Sequence, residues 1–199
     1  MSEIKWGIIG LGNIAFEFAS AFKGIKNSKL LGIGSKDNRR LNKFKEHFEI
    51  DKNYCFSNYE DLIKNKEIDI VYIALPHSFH FEWINKCIDS KKNILSEKPA
   101  TISLSQIKII NQKLDKNNIF FAEGFMYSYH PQFTKLIEIL NEKKIGEIIE
   151  MESSFGINIV EKKNFFGFKK IKINKKSRLF KKELAGGCIL DLGCYPTSL

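Results

Sequence analysis

The chain has 199 residues, enough for one domain or for one domain and part of a second. Its 43% hydrophobic content, with only 13 Gly and 4 Pro, excludes a disordered chain, and no run approaches the roughly 20 apolar residues of a membrane span. A formal charge of +9 suits an anionic partner, but the densest basic run, KKIKINKKSR at 169–178, lacks the interleaved aromatics of a base-stacking surface. No nucleic-acid partner and no membrane partner are therefore expected. The polar start MSEIK runs straight into an apolar stretch without the order of a signal peptide, which places the protein in the cytoplasm as an expectation. The four cysteines, at 55, 87, 188 and 194, form no CxxC pair and no zinc spacing. They read as free buried thiols, with no metal.

Taken in chain order, KWGIIG (5–10) is a buried-strand pattern closed by glycine. IAFEFASAFK (14–23) is a helix whose inward face is predicted as Ile14, Phe18, Ala21 and Phe22. KLLGIGS (29–35) is a second strand, and NRRLNKFKEHF (38–48) a helix with Leu41, Phe44 and Phe48 inward. A weak strand near 54–56 precedes a short helix at 58–65. IDIVYIAL (68–75) is nearly all apolar, as a strand covered on both faces should be. A helix at 79–90, a strand at 92–97, a helix at 103–117 begun by Ser103 and a strand at 119–125 complete the alternation. Strands and helices alternating at this spacing predict a parallel α/β sheet of Rossmann type over 1–123. Residues 124–199 then read as the start of a second, α+β open-sheet domain. It has a helix at 131–143 with proline in its first turn, a half-exposed strand at 147–155, a stretch without strong periodicity, and a helix carrying Asp191 and Tyr195.

The first strand leads into Gly10-Leu11-Gly12-Asn13-Ile14-Ala15, a GxGxxA loop opening a helix, which is the context of the dinucleotide fingerprint. Gly10 allows the tight turn. Gly12 lets the backbone approach a pyrophosphate seated at the helix N-terminus, beside Asn13 and Ile14. The second strand ends GIGSKDNRR, with Ser35 where a ribose-binding carboxylate would stand and Lys36, Arg39 and Arg40 following. A hydroxyl with cations suits a 2′-phosphate and favours NADP(H). Asp37 lies slightly late, which leaves NAD(H) open.

Five ordered motifs, GLGNIA, ALPHSFH (74–80), SEKPAT (96–101), EGFMYSYHPQ (123–132) and AGGCILDLGCYP (185–196), make the chain similar to the glucose–fructose oxidoreductase / inositol dehydrogenase (Gfo/Idh/MocA) family. FMYSYHPQ and LDLGCYP most resemble the branch with dimeric dihydrodiol dehydrogenases and NADP-dependent sugar oxidoreductases. The resemblance implies hydride transfer between a nicotinamide and a hydroxyl or carbonyl carbon of a sugar-like small molecule. It places Lys98 at the nicotinamide and substrate oxygen, with a bond to Pro99 that is often cis. Tyr195 is implied as acid/base, and Asp191 as orienting a substrate hydroxyl or Lys98. Leu75, Pro76, His77, His80 and Glu97 are implied near the cofactor; His77 stands where asparagine is usual. Tyr127, His130 and Arg178 are implied on the substrate side. Core packing is the competing reading for Tyr127, a solvated charge for Arg178, a cap or packing role for His80, pairing with a surface cation for Glu97, and a helix-start carboxylate for Asp191. The resemblance also implies a homodimer in a full-length form and a chain that is C-terminally incomplete. The alternative function is a truncated, non-catalytic NADP-binding sensor or subunit.

Overall fold

The computed structural model describes residues 3–158, 161–163, 169–171 and 177–199. It divides into two compact units, Met1–Gly124 and Phe125–Leu199.

The first unit runs β1 (Ile4–Ile9), α1 (Asn13–Ala21), β2 (Ser28–Gly34), α2 (Asn38–His47), β3 (Cys55–Phe56), α3 (Tyr59–Lys64), β4 (Ile70–Ile73), α4 (His77–Asp89), β5 (Asn93–Ser96), α5 (Leu104–Asn117) and β6 (Phe121–Glu123). The six strands form one parallel sheet in the order β3-β2-β1-β4-β5-β6. Strand periodicity of two sorts the side chains onto its faces. Ile9, Val71, Ile73 and Ile94 pack with Tyr59, Leu62, Trp83, Ile84, Ile88 and Ile110 of α3, α4 and α5. Ile8, Ile33 and Tyr72 turn to the other face and pack with Ala15, Ala19, Leu41 and Phe44 of α1 and α2. All four residues of β4 are buried, because helices cover it on both sides. Each isoleucine sealed this way is worth about 1.5–3 kcal/mol of transfer free energy.

The first helix corrects one sequence expectation. α1 turns Ala15 and Ala19 inward, while Ile14 is 40% exposed and Ala21 is exposed. Two methyl groups let the helix lie close to the sheet. The bulky rings leave that contact line and flank it, where Phe18 stacks 4.1 Å from the Tyr72 ring and Phe16 meets Phe44 edge-on. The cysteines correct another: all four are free, but only Cys87 is buried and Cys188 is exposed. Burial pushes the Cys87 thiol pKa up to about 12.

In the second unit, α6 (Pro131–Asn141) begins with His130 as its N-cap, whose Nδ1 accepts the Gln132 N–H at 3.1 Å. The strand expected over 147–155 is absent. Ile148, Ile149, Met151 and Phe155 are 59%, 99%, 65% and 53% exposed, and no described strand pairs with them. Alternation prepares a strand, but backbone partners make one. Instead β7 (Glu161–Lys163) and β8 (Lys169–Ile171) form an antiparallel pair within the stretch read as aperiodic. Residues 172–176 of the basic run lie outside the described residues. The helix expected around Asp191 is a π-helical turn, Ile189–Gly193, continued by α7 (Cys194–Ser198). Among the described residues no helix is long and apolar enough to cross a membrane.

Candidate functional site

The sheet order reverses between β1 and β4, and ligands of open α/β sheets bind in the crevice at the carboxyl ends of the strands flanking such a point. Gly10 follows β1 at φ +87°, with its N–H donating to the Gly34 carbonyl at 3.1 Å. A Cβ there would collide with the Ala74 carbonyl oxygen. Gly12 is the N-cap of α1, and a Cβ on it would meet nothing within 4 Å. The first turn of α1 contains no acidic residue. A helix end open to solvent, free of carboxylates in its first turn and lacking a side-chain cap suits a phosphate.

A cavity of about 540 Å³ adjoins this turn, lined by Gly12, Asn13, Glu17, Arg40 and Lys43 among others. The sequence reading named Arg40 and missed Lys43. Their spacing of three on one helix, which puts both on the same face, is the signal that could have found it. Ser35 is buried, and its hydroxyl accepts the Asp37 N–H at 3.1 Å. Asp37 caps α2, accepting the Arg39 N–H at 2.9 Å and the Arg40 N–H at 3.4 Å. The Arg39 backbone hydrogen bond is the main cause that lowers its pKa. Its late position is thus explained by helix capping. Lys36 lies 5.7 Å from the centroid of the Tyr59 ring.

The carboxyl ends of β4 and β5 hold the second cluster. Leu75 and Pro76 are half-buried and His77 is buried at the start of α4. The Lys98-Pro99 peptide is cis. Backbone and side chains fasten this loop from four directions. The Glu97 N–H donates to the Ile73 carbonyl at 3.0 Å, and the Gly124 N–H to the Ser96 carbonyl at 2.8 Å. The Glu97 carboxylate accepts the Tyr72 hydroxyl at 2.5 Å, and the Glu123 carboxylate accepts the Ala100 N–H at 2.7 Å. Burial raises the Glu123 pKa, and the Ala100 bond partly offsets it. Neither Tyr72 nor Glu123 was singled out from sequence. Tyr72, the one polar residue in the IVYI strand, was the available signal.

In the second unit, Tyr195 packs its ring 5.7 Å from Phe125, 6.2 Å from Tyr127 and 5.1 Å from Phe155. The Tyr127 hydroxyl lies 2.8 Å from the Ser198 hydroxyl. Arg178 Nη2 donates to Asp191 Oδ1 at 2.9 Å, and the Asp191 side chain is only 15% exposed. The two residues singled out separately thus form one ion pair.

The sequence model of the Gfo/Idh/MocA family, described as an oxidoreductase family with an NAD-binding Rossmann fold, matches residues 4–125. This chain belongs to the Gfo/Idh/MocA oxidoreductase family. It is 30% identical over 193 residues to the trans-1,2-dihydrobenzene-1,2-diol dehydrogenase of Xenopus tropicalis, covering 96% of this chain and 54% of that protein. Over 204 residues it is 27% identical to the D-xylose 1-dehydrogenase (NADP(+)) of Hypocrea jecorina, covering 97% of this chain and 51% of that protein. Among solved structures, apo scyllo-inositol dehydrogenase from Lactobacillus casei superposes with a TM-score of 0.69 at 26% identity, over 73% of this chain and 44% of that one. A 3-ketoreductase mutant from Actinomadura kijaniata, in complex with TDP-benzene and NADP, gives 0.67 at 29% identity over 74% and 46%. The chain spans about half the length of the curated relatives it matches. As a member of this family it carries the NAD-binding Rossmann fold in its first unit, and the open helix end at Gly12 fits the phosphates of such a cofactor.

Proposed function

We propose that this chain carries the coenzyme-binding part of an NADP(H)-dependent oxidoreductase acting on a hydroxyl or carbonyl carbon of a sugar, sugar derivative or related small molecule. The observation that carries the reading is the cavity beside Gly12, lined by Arg40 and Lys43 of α2 and by Gly12 and Asn13 at the amide end of α1. Pyrophosphate suits the helix end, and a 2′-phosphate suits the two cations. Glu17 also lines the cavity, and an acid there opposes a second anion. The net of two cations against one carboxylate still favours phosphate. The relatives' names support the substrate class and turnover rather than binding alone: they are dehydrogenases and reductases, one of them NADP-dependent and acting on D-xylose.

A bound nicotinamide supplies or takes the hydride. The remaining chemistry falls to side chains. Reducing a carbonyl develops negative charge on oxygen, which needs a cation and a proton. Lys98 is assigned the cation. Tyr195 is assigned the proton, given to the alkoxide in reduction and taken back in oxidation. Arg178 orients the Asp191 carboxylate, which is assigned a substrate hydroxyl, and Tyr127 and His130 are assigned to the substrate side. Leu75, Pro76, His77 and Glu97 are assigned to shaping the coenzyme side. A cytoplasmic homodimer is the expected complete form.

Titration with NADPH and NADH tests the coenzyme assignment. Arg40→Ala and Lys43→Ala should each weaken NADPH by about tenfold to a hundredfold, the worth of one charge-assisted hydrogen bond, and leave NADH nearly unchanged. Equal affinities for the two coenzymes in the unaltered protein overturn the NADP assignment. In a complete enzyme, Lys98→Met should abolish turnover with coenzyme still bound, and Tyr195→Phe should slow it by about 10²–10⁴-fold. A Tyr195→Phe protein with unaltered rate removes the proton-transfer role.

A further inference from the structure

We propose that His80 is a positioning residue, held as an imidazolium that clamps the loop after β4 to the loop after β5 and thereby sets the backbone on either side of Lys98. The inference rests on the reading of this crevice as the coenzyme site. His80 is completely buried on α4. Its Nδ1 lies 2.7 Å from the Pro99 carbonyl oxygen and its Nε2 2.8 Å from the Leu75 carbonyl oxygen. Both partners are carbonyls, which only accept. A neutral imidazole has one N–H and one lone pair, so in either tautomer it would point a lone pair at an oxygen at bonding distance. Only the doubly protonated ring donates to both.

Burial works against that charge, and hydrogen bonding to the charged form works for it. Two carbonyl dipoles aimed at the two N–H groups are what a buried cation needs in place of water. The titratable groups on the surrounding elements fall on both sides. His77, one turn back on α4, has its ring 5.8 Å away and would oppose a second cation if it were protonated. Lys98 opposes it too. Glu97, bonded to Tyr72 of β4, and Glu123 of β6, bonded to Ala100, supply negative charge to the same loop. Packed against α4, α5 adds Ile110 and Ile107 to the shared core.

The consequence is positional. Pro99 has no N–H, so its carbonyl is its one backbone handle, and His80 holds it. Glu97 is fixed upstream through Ile73, and Ala100 downstream through Glu123. Lys98 is thus pinned on both sides. His80 itself, buried and with a carbonyl within bonding distance of each nitrogen, serves the loop.

Ring-nitrogen NMR of the 15N-labelled 199-residue chain tests this, with His80→Gln identifying the signal. The spectrum is read at about pH 7.5, above the ordinary histidine pKa of about 6.5. His80 should still carry a proton on each nitrogen. In His80→Gln, amide exchange at Glu97 and Ala100 should accelerate about tenfold or more, with the amides of β1 unchanged. A single ring proton on His80 at that pH overturns the proposal, as does unaltered exchange at Glu97 and Ala100. Should the variant fail to fold, the ring signal of the unaltered protein, assigned instead by through-bond correlation to the His80 backbone, decides. Failure to bind NADPH in a parallel titration would count against the coenzyme reading alone, because the proton count needs no coenzyme.

Discussion

Gly10 sits where two demands meet: its φ of +87° lies in the region side chains avoid, and the Ala74 carbonyl occupies the space a Cβ would take. Gly10→Ala should therefore cost about 1–3 kcal/mol from strain, read as a lower thermal midpoint, and should also weaken coenzyme binding by displacing the turn. Gly12→Ala is the matched control: its Cβ meets nothing, so stability should hold while coenzyme affinity falls. These two glycines were legible in the sequence because a motif specifies them. Other residues were not, because their partners lie far along the chain. Lys92 opens the strand read at 92–97, and nothing near it in sequence marks it as buried, yet it is 7% exposed and its Nζ donates to the Asn65 and Ile68 carbonyls at 2.6 Å each. Tyr72 and Glu97 are separated by 25 residues and Arg178 and Asp191 by 13. Residue type alone does not announce such pairs.

At the scale of elements, periodicity carried the reading wherever neighbours existed to satisfy it. The central strands and the helices around them were legible for that reason. The expected strand at 147–155 alternates correctly but has no partner strand among the described residues, and the inward face of α1 was misread because large residues outweighed the two alanines that make the contact. The loop after β5 shows what tertiary bonding adds. It is held to β6 by Glu123, whose burial raises its pKa above the ordinary 4.5. A raised acid favours folding below its unfolded pKa and loses that contribution as pH rises through the folded value. At neutral pH the buried carboxylate is then a cost. Glu123→Gln removes the charge and keeps an oxygen for the Ala100 N–H. Thermal unfolding should show the variant equal to the unaltered protein at about pH 4 and more stable at about pH 7.5. A variant less stable at about pH 7.5 would mean that the ionised carboxylate strengthens the loop by more than its burial costs.

For the whole molecule, the two units differ in what holds each together. Both buried clusters lie wholly within Met1–Gly124. In Phe125–Leu199, Ala185 is the one buried residue among those described, while Ile149, Met151, Tyr129 and Ile189 are all more than 60% exposed. A segment that seals so little apolar surface offsets little of its ordering entropy, which runs to about 1–2 kcal/mol per residue for the backbone. Stability should therefore reside in the first unit. A protein of residues 1–124 should unfold cooperatively, with a thermal midpoint within a few degrees of the 199-residue chain, and should bind NADPH with similar affinity, since Gly12, Arg40 and Lys43 all belong to it. The 199-residue chain should bind a hydrophobic dye more strongly than the shorter one, because the exposed apolar side chains of the second unit go with the deletion. Loss of cooperative unfolding in 1–124 would show that the second unit contributes to the core through its own ordering. A large loss of NADPH affinity with folding intact would place part of the coenzyme site beyond Gly124.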